Sequence, residues 1–108
     1  MITRMWRGEV PTTRATAYLE YLKRTGLADY ASVSGNRGAT VLIRQIEDRT
    51  EFLIVTEWDS WEAIREFAGD HPEIARYYPE DDDFLLFRTE QVEHYETAYT
   101  GWTSSPGA

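Results

Sequence analysis

The spacing of apolar residues along this chain changes several times, and each change marks an element. Bulky residues crowd the run from Ile2 to Val10, which stops at Pro11, a residue with no N–H for a ladder, so a strand is predicted over Ile2–Glu9. Beyond Pro11 the period becomes helical. Ala15, Tyr18, Leu19 and Leu22 fall at i, i+3, i+4 and i+7, with Thr12 or Thr13 placed to cap and Gly26 to stop the helix. From Leu27 to Gly38 the pattern dissolves into Ser32, Ser34, Gly35, Asn36 and Gly38, which favour local turns, and a turn-rich connection is expected.

Two β-rich runs follow, Ala39–Glu47 and Glu51–Trp58, joined through Asp48-Arg49-Thr50, a length that suits a hairpin loop. In the second run Phe52, Ile54, Thr56 and Trp58 share one face and Leu53, Val55 and Glu57 the other, so neither face is purely polar. Asp59 stands three residues before Glu62, a capping-box spacing, and the stripe Trp61, Ile64, Phe67, Ala68 predicts a helix over Ser60–Ala68 that ends at Gly69. Pro72 and Pro79, each followed by acids, predict short helical pieces between Pro72 and Phe87. A last strand is expected within Gln91–Tyr99, where Val92, His94 and Glu96 alternate with Glu93, Tyr95 and Thr97. The organisation is then one domain over residues 1–98 and a flexible tail over residues 99–108, which carries Trp102.

The order strand, helix, strand, strand, helix, strand is the split βαβ pattern of a ferredoxin-like α+β fold with a four-stranded antiparallel sheet. Helices cover one face of such a sheet. With the other face partly apolar, an identical sheet from a second subunit is the expected cover, and a homodimer follows.

Composition narrows the function. A chain of 108 residues has enough surface to bury for one core, and its net charge of −8, with scattered rather than clustered arginines, argues against a nucleic-acid partner. No apolar run is long enough to span a bilayer, and the first residues lack an export-type apolar stretch, so no membrane partner and a cytoplasmic location are expected. The absence of cysteine excludes disulfides, thiolate metal sites and a cysteine nucleophile. His71 and His94 are too far apart for a metal motif, and no metal is expected.

The element order together with Met5-Trp6-Arg7-Gly8, the run Phe52 to Ala63 containing Trp58-Asp59-Ser60-Trp61, and Val92-Glu93-His94-Tyr95-Glu96 resembles the antibiotic biosynthesis monooxygenase family, over nearly the whole chain to about Thr97. The resemblance implies a dimeric α+β barrel and, in its oxygenase branch, cofactor-free conversion of polycyclic phenols to quinones. Trp58 matches the family's strand-ending Trp. Quinone-forming members have an Asn four residues before it, where this chain has Ile54; haem-degrading members have a Trp and a His where this chain has Phe67 and Tyr77.

Cofactor-free oxygenation needs a dry aromatic pocket, a base for the phenol proton and donors that hold the resulting oxyanion. Trp6, Trp58, Trp61 and Tyr78 are candidate walls, with ordinary core packing as their other reading. His94, Tyr77 and Arg4 are the candidate catalytic groups, and Arg44 and His71 are further candidate ligand contacts. Strand parity puts Arg4 beside Trp6, where a guanidinium either faces a cavity or pairs with Glu9, Glu57 or Glu96. The acids Glu80 to Asp83 read as a solvated helix start. The expectation is a monooxygenase-like enzyme for a planar aromatic or polyketide-type molecule, with no cofactor; a non-catalytic binder of a small molecule such as haem and a dimeric interaction module are the alternatives.

Overall fold

The computed structural model describes residues 1–101; the expected tail lies outside the described residues from Trp102 onward. Strand β1 (Ile2–Pro11) leads through a 3₁₀ turn (Thr12–Arg14) into helices α1 (Ala15–Arg24) and α2 (Gly26–Ser32). The long hairpin of β2 (Asn36–Ile46) and β3 (Arg49–Trp58) follows, then helix α3 (Trp61–Ala68), a strap that holds a second 3₁₀ turn (Pro79–Asp83), and the short strands β4 (Phe87–Arg88) and β5 (Glu93–Glu96).

The sheet runs β2-β3-β1, entirely antiparallel, and both β4 and β5 lie on the free edge of β1. Five strands stand where four were expected, because the fourth lane is shared: β5 pairs with Ile2–Met5 and β4 with Gly8–Glu9. The last strand is accordingly shorter than Gln91–Tyr99.

Alternation decides which side chains go inward. Ile2, Arg4, Trp6 and Val10 of β1 and Phe52, Ile54, Thr56 and Trp58 of β3 face the helices and are buried beneath Tyr18, Tyr21 and Leu22 of α1, Tyr30 of α2, and Ala63, Ile64 and Phe67 of α3. The other face carries Thr3, Met5, Arg7, Thr40, Leu42, Arg44, Leu53, Val55 and Tyr95 and has no helices on it.

Several local expectations are corrected. Strand β1 extends to Pro11, because Val10 belongs to the core. Neither Thr12 nor Thr13 caps α1; the Thr12 hydroxyl is bonded to that of Thr50 at 2.9 Å. The connection after Gly26 is helical as far as Ser32, where Leu27, Ala28 and Ala31 favour helix and Tyr30 gains a buried seat 4.5 Å from the Phe67 ring; the turn formers begin only beyond it. The hairpin turns on Glu47 and Asp48, with Glu47 at φ 56°, rather than on Asp48-Arg49-Thr50. Ser60, not Asp59, caps α3 by accepting from the Ala63 N–H at 3.2 Å; Asp59 is instead engaged by Arg37 at 2.6 Å. Gly69 ends the helix at φ 83°. Between Pro72 and Phe87 only Pro79–Asp83 is helical, because Ile74 is drawn into a bridge with Gln91.

Gly8 matters for packing rather than for φ. A Cβ there would stand 2.8 Å from Trp6 Cζ2, nearer still to its Cη2, and 3.0 Å from Leu85, so the Trp6 ring lies over bare backbone. Gly8→Ala is expected to displace that ring at a cost of about 1 to 3 kcal/mol, visible as a lower melting temperature and an altered near-ultraviolet circular dichroism spectrum.

Candidate active site

Between the inner sheet face and the helices lies a cleft lined by Arg4, Trp6, Tyr30, Phe67, Tyr77, Tyr78 and Asp81, among others. The free volume is about 30 Å³, room for about two water molecules. The strap forms one wall through Tyr77, Tyr78 and Asp81; its Ile74 end is bridged to Gln91 by backbone bonds, and the part that walls the cleft is held against the helices by side chains. The Tyr78 hydroxyl donates to Asp29, Arg76 stands 3.7 Å from the same carboxylate, and Arg76 also donates to the Phe67 carbonyl at 3.0 Å.

Arg4 is the unusual group. Its position on the inward face of β1 leaves it 2% exposed, against the Phe67 ring at 5.3 Å. Among the described residues no carboxylate pairs with it. Its Nε has no hydrogen-bond partner, and the guanidinium's one hydrogen bond is a long 3.5 Å contact to the Pro72 carbonyl. Burial lowers its pKa, yet an arginine remains protonated at neutral pH, so a cation sits in an aromatic cleft without a counter-charge. Burial is also the main reason that the neighbouring Tyr30 is harder to ionise than a free tyrosine.

Trp6 and Tyr77 are locked to each other. The indole N–H donates to the Tyr77 oxygen at 2.9 Å, the rings meet edge to face at 6.2 Å, and the Tyr77 hydroxyl donates in turn to the Thr89 carbonyl. Both functions of the phenol are therefore engaged, and burial raises its pKa. Its office in the cleft is to hold Trp6.

The remaining candidates separate by place. Tyr78 lines the cleft. Trp58 lies below the wall, wholly buried, donating at 2.8 Å to Thr56, whose hydroxyl donates to the Arg4 carbonyl at 3.3 Å. His94 is opposite Arg4 across the β1–β5 ladder, its ring 4.9 Å from that of Trp61 and its Nε2 buried without a partner. Arg44 is on the outer sheet face, forked onto Glu51 at 3.0 and 3.4 Å. His71 is exposed, 3.7 Å from Glu73. The structure thus brings Arg4, Trp6, Tyr77 and Tyr78 to one cleft, with His94 and Trp61 adjoining through Arg4, and leaves Arg44 and His71 elsewhere. Among the described residues no group of three or more His, Asp or Glu side chains is placed to hold a metal ion, and no helix is long and apolar enough to cross a membrane.

Asp81 is the member that sequence reasoning missed. It belongs to the acid run read as solvated, yet it is 4% exposed, accepts the Tyr78 N–H at 2.6 Å, and has its pKa raised by burial. Pro79 at the start of the turn, with Asp81 at its third position, was the available signal. The Tyr21 hydroxyl lies beside it, buried and without a hydrogen-bond partner, and burial followed by the Asp81 charge pushes that phenol up to about 12.

Among solved structures, the fold matches a protein assigned as an antibiotic biosynthesis monooxygenase from Bacillus cereus, with TM-score 0.66 over 95% of this chain and 96% of that one at 13% identity. The chain carries the antibiotic biosynthesis monooxygenase fold. The heme-degrader MhuD from Mycobacterium tuberculosis, solved with two hemes in its active site, matches at TM-score 0.65 and 18% identity over 94% of this chain and all of that one. A further monooxygenase-type structure, from Nitrosomonas europaea, matches at 0.62 and 17% over 92% of this chain and 100% of that one. No family model and no curated protein matches the sequence.

His94 gives a pH test of this neighbourhood. Burial first, and then the Arg4 charge, lower its pKa below 6.5, with Glu73 opposing. The unfolded chain therefore binds a proton at higher pH than the folded one, so stability is complete above about pH 6.5 and falls as the pH drops toward the folded pKa. Denaturant melts at about pH 7 and pH 5.5 should show this loss, and His94→Gln should reduce it.

Proposed function

We propose that the chain is a monooxygenase-like enzyme of the antibiotic biosynthesis monooxygenase type, acting without a cofactor on a planar hydroxylated aromatic bound in the cleft around Arg4. The observation that carries this reading is an unpaired, buried guanidinium walled by Trp6, Tyr30, Phe67, Tyr77 and Tyr78. A neutral phenol entering there loses its proton to become the counter-ion that Arg4 lacks. His94, neutral at pH 7 and paired with Arg4 across the ladder just outside the cleft lining, is the base assigned to that proton, which reaches it through one bridging water. The phenolate gives an electron to O₂; recombination of the aryloxyl radical with superoxide forms a carbon-bound peroxide anion, which takes back the proton held by His94 to become the hydroperoxide, and loss of water leaves the quinone. Tyr77 acts at one remove, as the group that positions Trp6. Because free space is about 30 Å³ and ligand pockets usually hold roughly 300 Å³ or more, entry requires the strap to swing from α2, where Tyr78 and Arg76 meet Asp29.

Haem fits these residues poorly. Among the described residues no imidazole lines the cleft, and the Tyr77 oxygen is committed to Trp6 and Thr89.

Oxygen uptake with 1,5-dihydroxynaphthalene tests the reading, since its conversion to 5-hydroxy-1,4-naphthoquinone consumes one O₂ and releases one water. Uptake well above the protein-free rate, matched one to one by quinone, is the expected result. Uptake equal to the protein-free rate for this and other phenols would remove the enzymatic assignment.

We further infer that the helix-free sheet face pairs with a second copy. Leu42, Leu53, Val55 and Tyr95 lie there among Arg7, Arg44 and Glu51, a patch that mixes apolar area with both signs of charge and so can complement itself. Sedimentation should report a dimer, and Leu53→Glu a monomer.

A further inference from the structure

Two buried charges line the cleft, and they do not meet. Arg4 is 2% and Asp81 4% exposed, and no ion pair within 4.0 Å joins either of them to any partner among the described residues. The cations nearest the strap are committed elsewhere: Arg88 to Asp82 at 2.7 Å and Arg76 to Asp29. The Tyr78 N–H takes one oxygen of Asp81 and the Tyr21 hydroxyl lies beside the carboxylate, which with its roughly four acceptor sites still has room for a further donor. The chain thus leaves a cation unmatched at the sheet wall of the cleft and a carboxylate acceptor at the strap wall, in a cleft also lined by Trp6, Tyr18, Tyr30 and Phe67.

We propose that the site selects a planar monoanion with a hydrogen-bond donor remote from its charge, the ionised oxygen on Arg4 and a neutral hydroxyl donating to Asp81. This rests on the cleft being the substrate site and narrows its substrate class to dihydroxylated aromatics and hydroxylated aromatic acids. A second negative charge is disfavoured for a stated reason. It would fall against Asp81, with Asp29 behind it through Tyr78, and like charges in a desolvated cleft repel strongly. A ligand with the anion alone satisfies Arg4 and leaves the Asp81 carboxylate buried beside an apolar ring edge, which costs affinity. Both ends together give the pocket an orientation: the charged end of the ring always points to the sheet.

Calorimetric titration of the wild-type protein at pH 7 with 6-hydroxy-2-naphthoate, 2-naphthoate, 2,6-naphthalenedicarboxylate and the neutral 2-methoxynaphthalene decides it. The hydroxynaphthoate is expected to bind at least tenfold more tightly than either other acid, with the dicarboxylate weaker than the monoacid. Asp81→Asn keeps an oxygen for the Tyr78 N–H and turns the free position into a donor, so it should abolish the hydroxyl advantage and bring the dicarboxylate level with the naphthoate. Binding of all four within threefold of one another, or a dicarboxylate as tight as the hydroxynaphthoate, overturns the proposal while leaving the cleft as a site. No binding by any of the four overturns the placement of the site and this selectivity with it.

Discussion

Arg4→Met is expected to make the protein more stable and inactive at once. The methionine fills comparable apolar space, and the substitution removes a desolvated cation that has one 3.5 Å hydrogen bond and no ion pair among the described residues. Replacing buried charge by a well-packed apolar group is neutral or stabilising by about 1 to 4 kcal/mol. For a chain of this length each kcal/mol moves the melting temperature by about 4 °C or more. Over the same change, affinity for ionised aromatics should fall by a factor of ten or more, because the counter-charge that holds the oxyanion has gone. The combination is informative: a residue kept only for packing would not raise stability when removed, and a residue that merely supports the site would not lower activity while the fold tightens. Thermal melts with oxygen uptake on the same preparation check both halves.

Trp58→Ala should have the largest effect of the opposite sign. This ring is wholly buried at the end of β3, 6.0 Å from both Tyr30 and Phe67, and its N–H begins the chain through Thr56 to the Arg4 carbonyl. Deletion of a buried Trp costs about 3 to 5 kcal/mol, a large share of the roughly 5 to 15 kcal/mol that holds a small domain. Much of the variant should be unfolded at 37 °C by circular dichroism. Trp58→Phe separates structure from contact: since the ring lies below the cleft wall, the milder variant should fold and bind aromatics within about threefold of wild type.

What the sequence revealed about this molecule follows from which forces are local. The β2–β3 hairpin and α3 were legible because period and cap signals sit within a few residues, and parity alone put Arg4 and Trp6 on one face. Helix α2 was not legible. Leu27, Ala28 and Ala31 favour helix, but the segment is only seven residues long and runs straight into Ser34, Gly35, Asn36 and Gly38, and what fixes it is the seat for Tyr30 against Phe67 and Trp58, residues far along the chain. Strand β4 exists because Gly8–Glu9 offers an open edge, which no property of Phe87-Arg88 announces.

The site divides in the same way. Aromatic residues and arginines on strands were visible as an inventory, but whether an arginine has a partner depends on every element packed around it. Arg44 and Arg4 looked alike in sequence; one is forked onto Glu51 in the open, and the other is buried without a carboxylate among the described residues. Asp81 was hidden by its neighbours, since Glu80, Asp82 and Asp83 are exposed as an acid run usually is, and a single 3₁₀ turn points the second acid of that run inward.

The most direct measurement is an anaerobic absorption titration of the wild-type protein with 1,5-dihydroxynaphthalene at pH 7, where the free phenol is un-ionised. The expected result is a naphtholate band that grows to one equivalent per chain, is missing in Arg4→Met, and gives way to the quinone spectrum when oxygen is admitted. A bound ligand that keeps its neutral spectrum, or a band of equal size in Arg4→Met, would contradict the claim that this buried guanidinium holds the oxyanion.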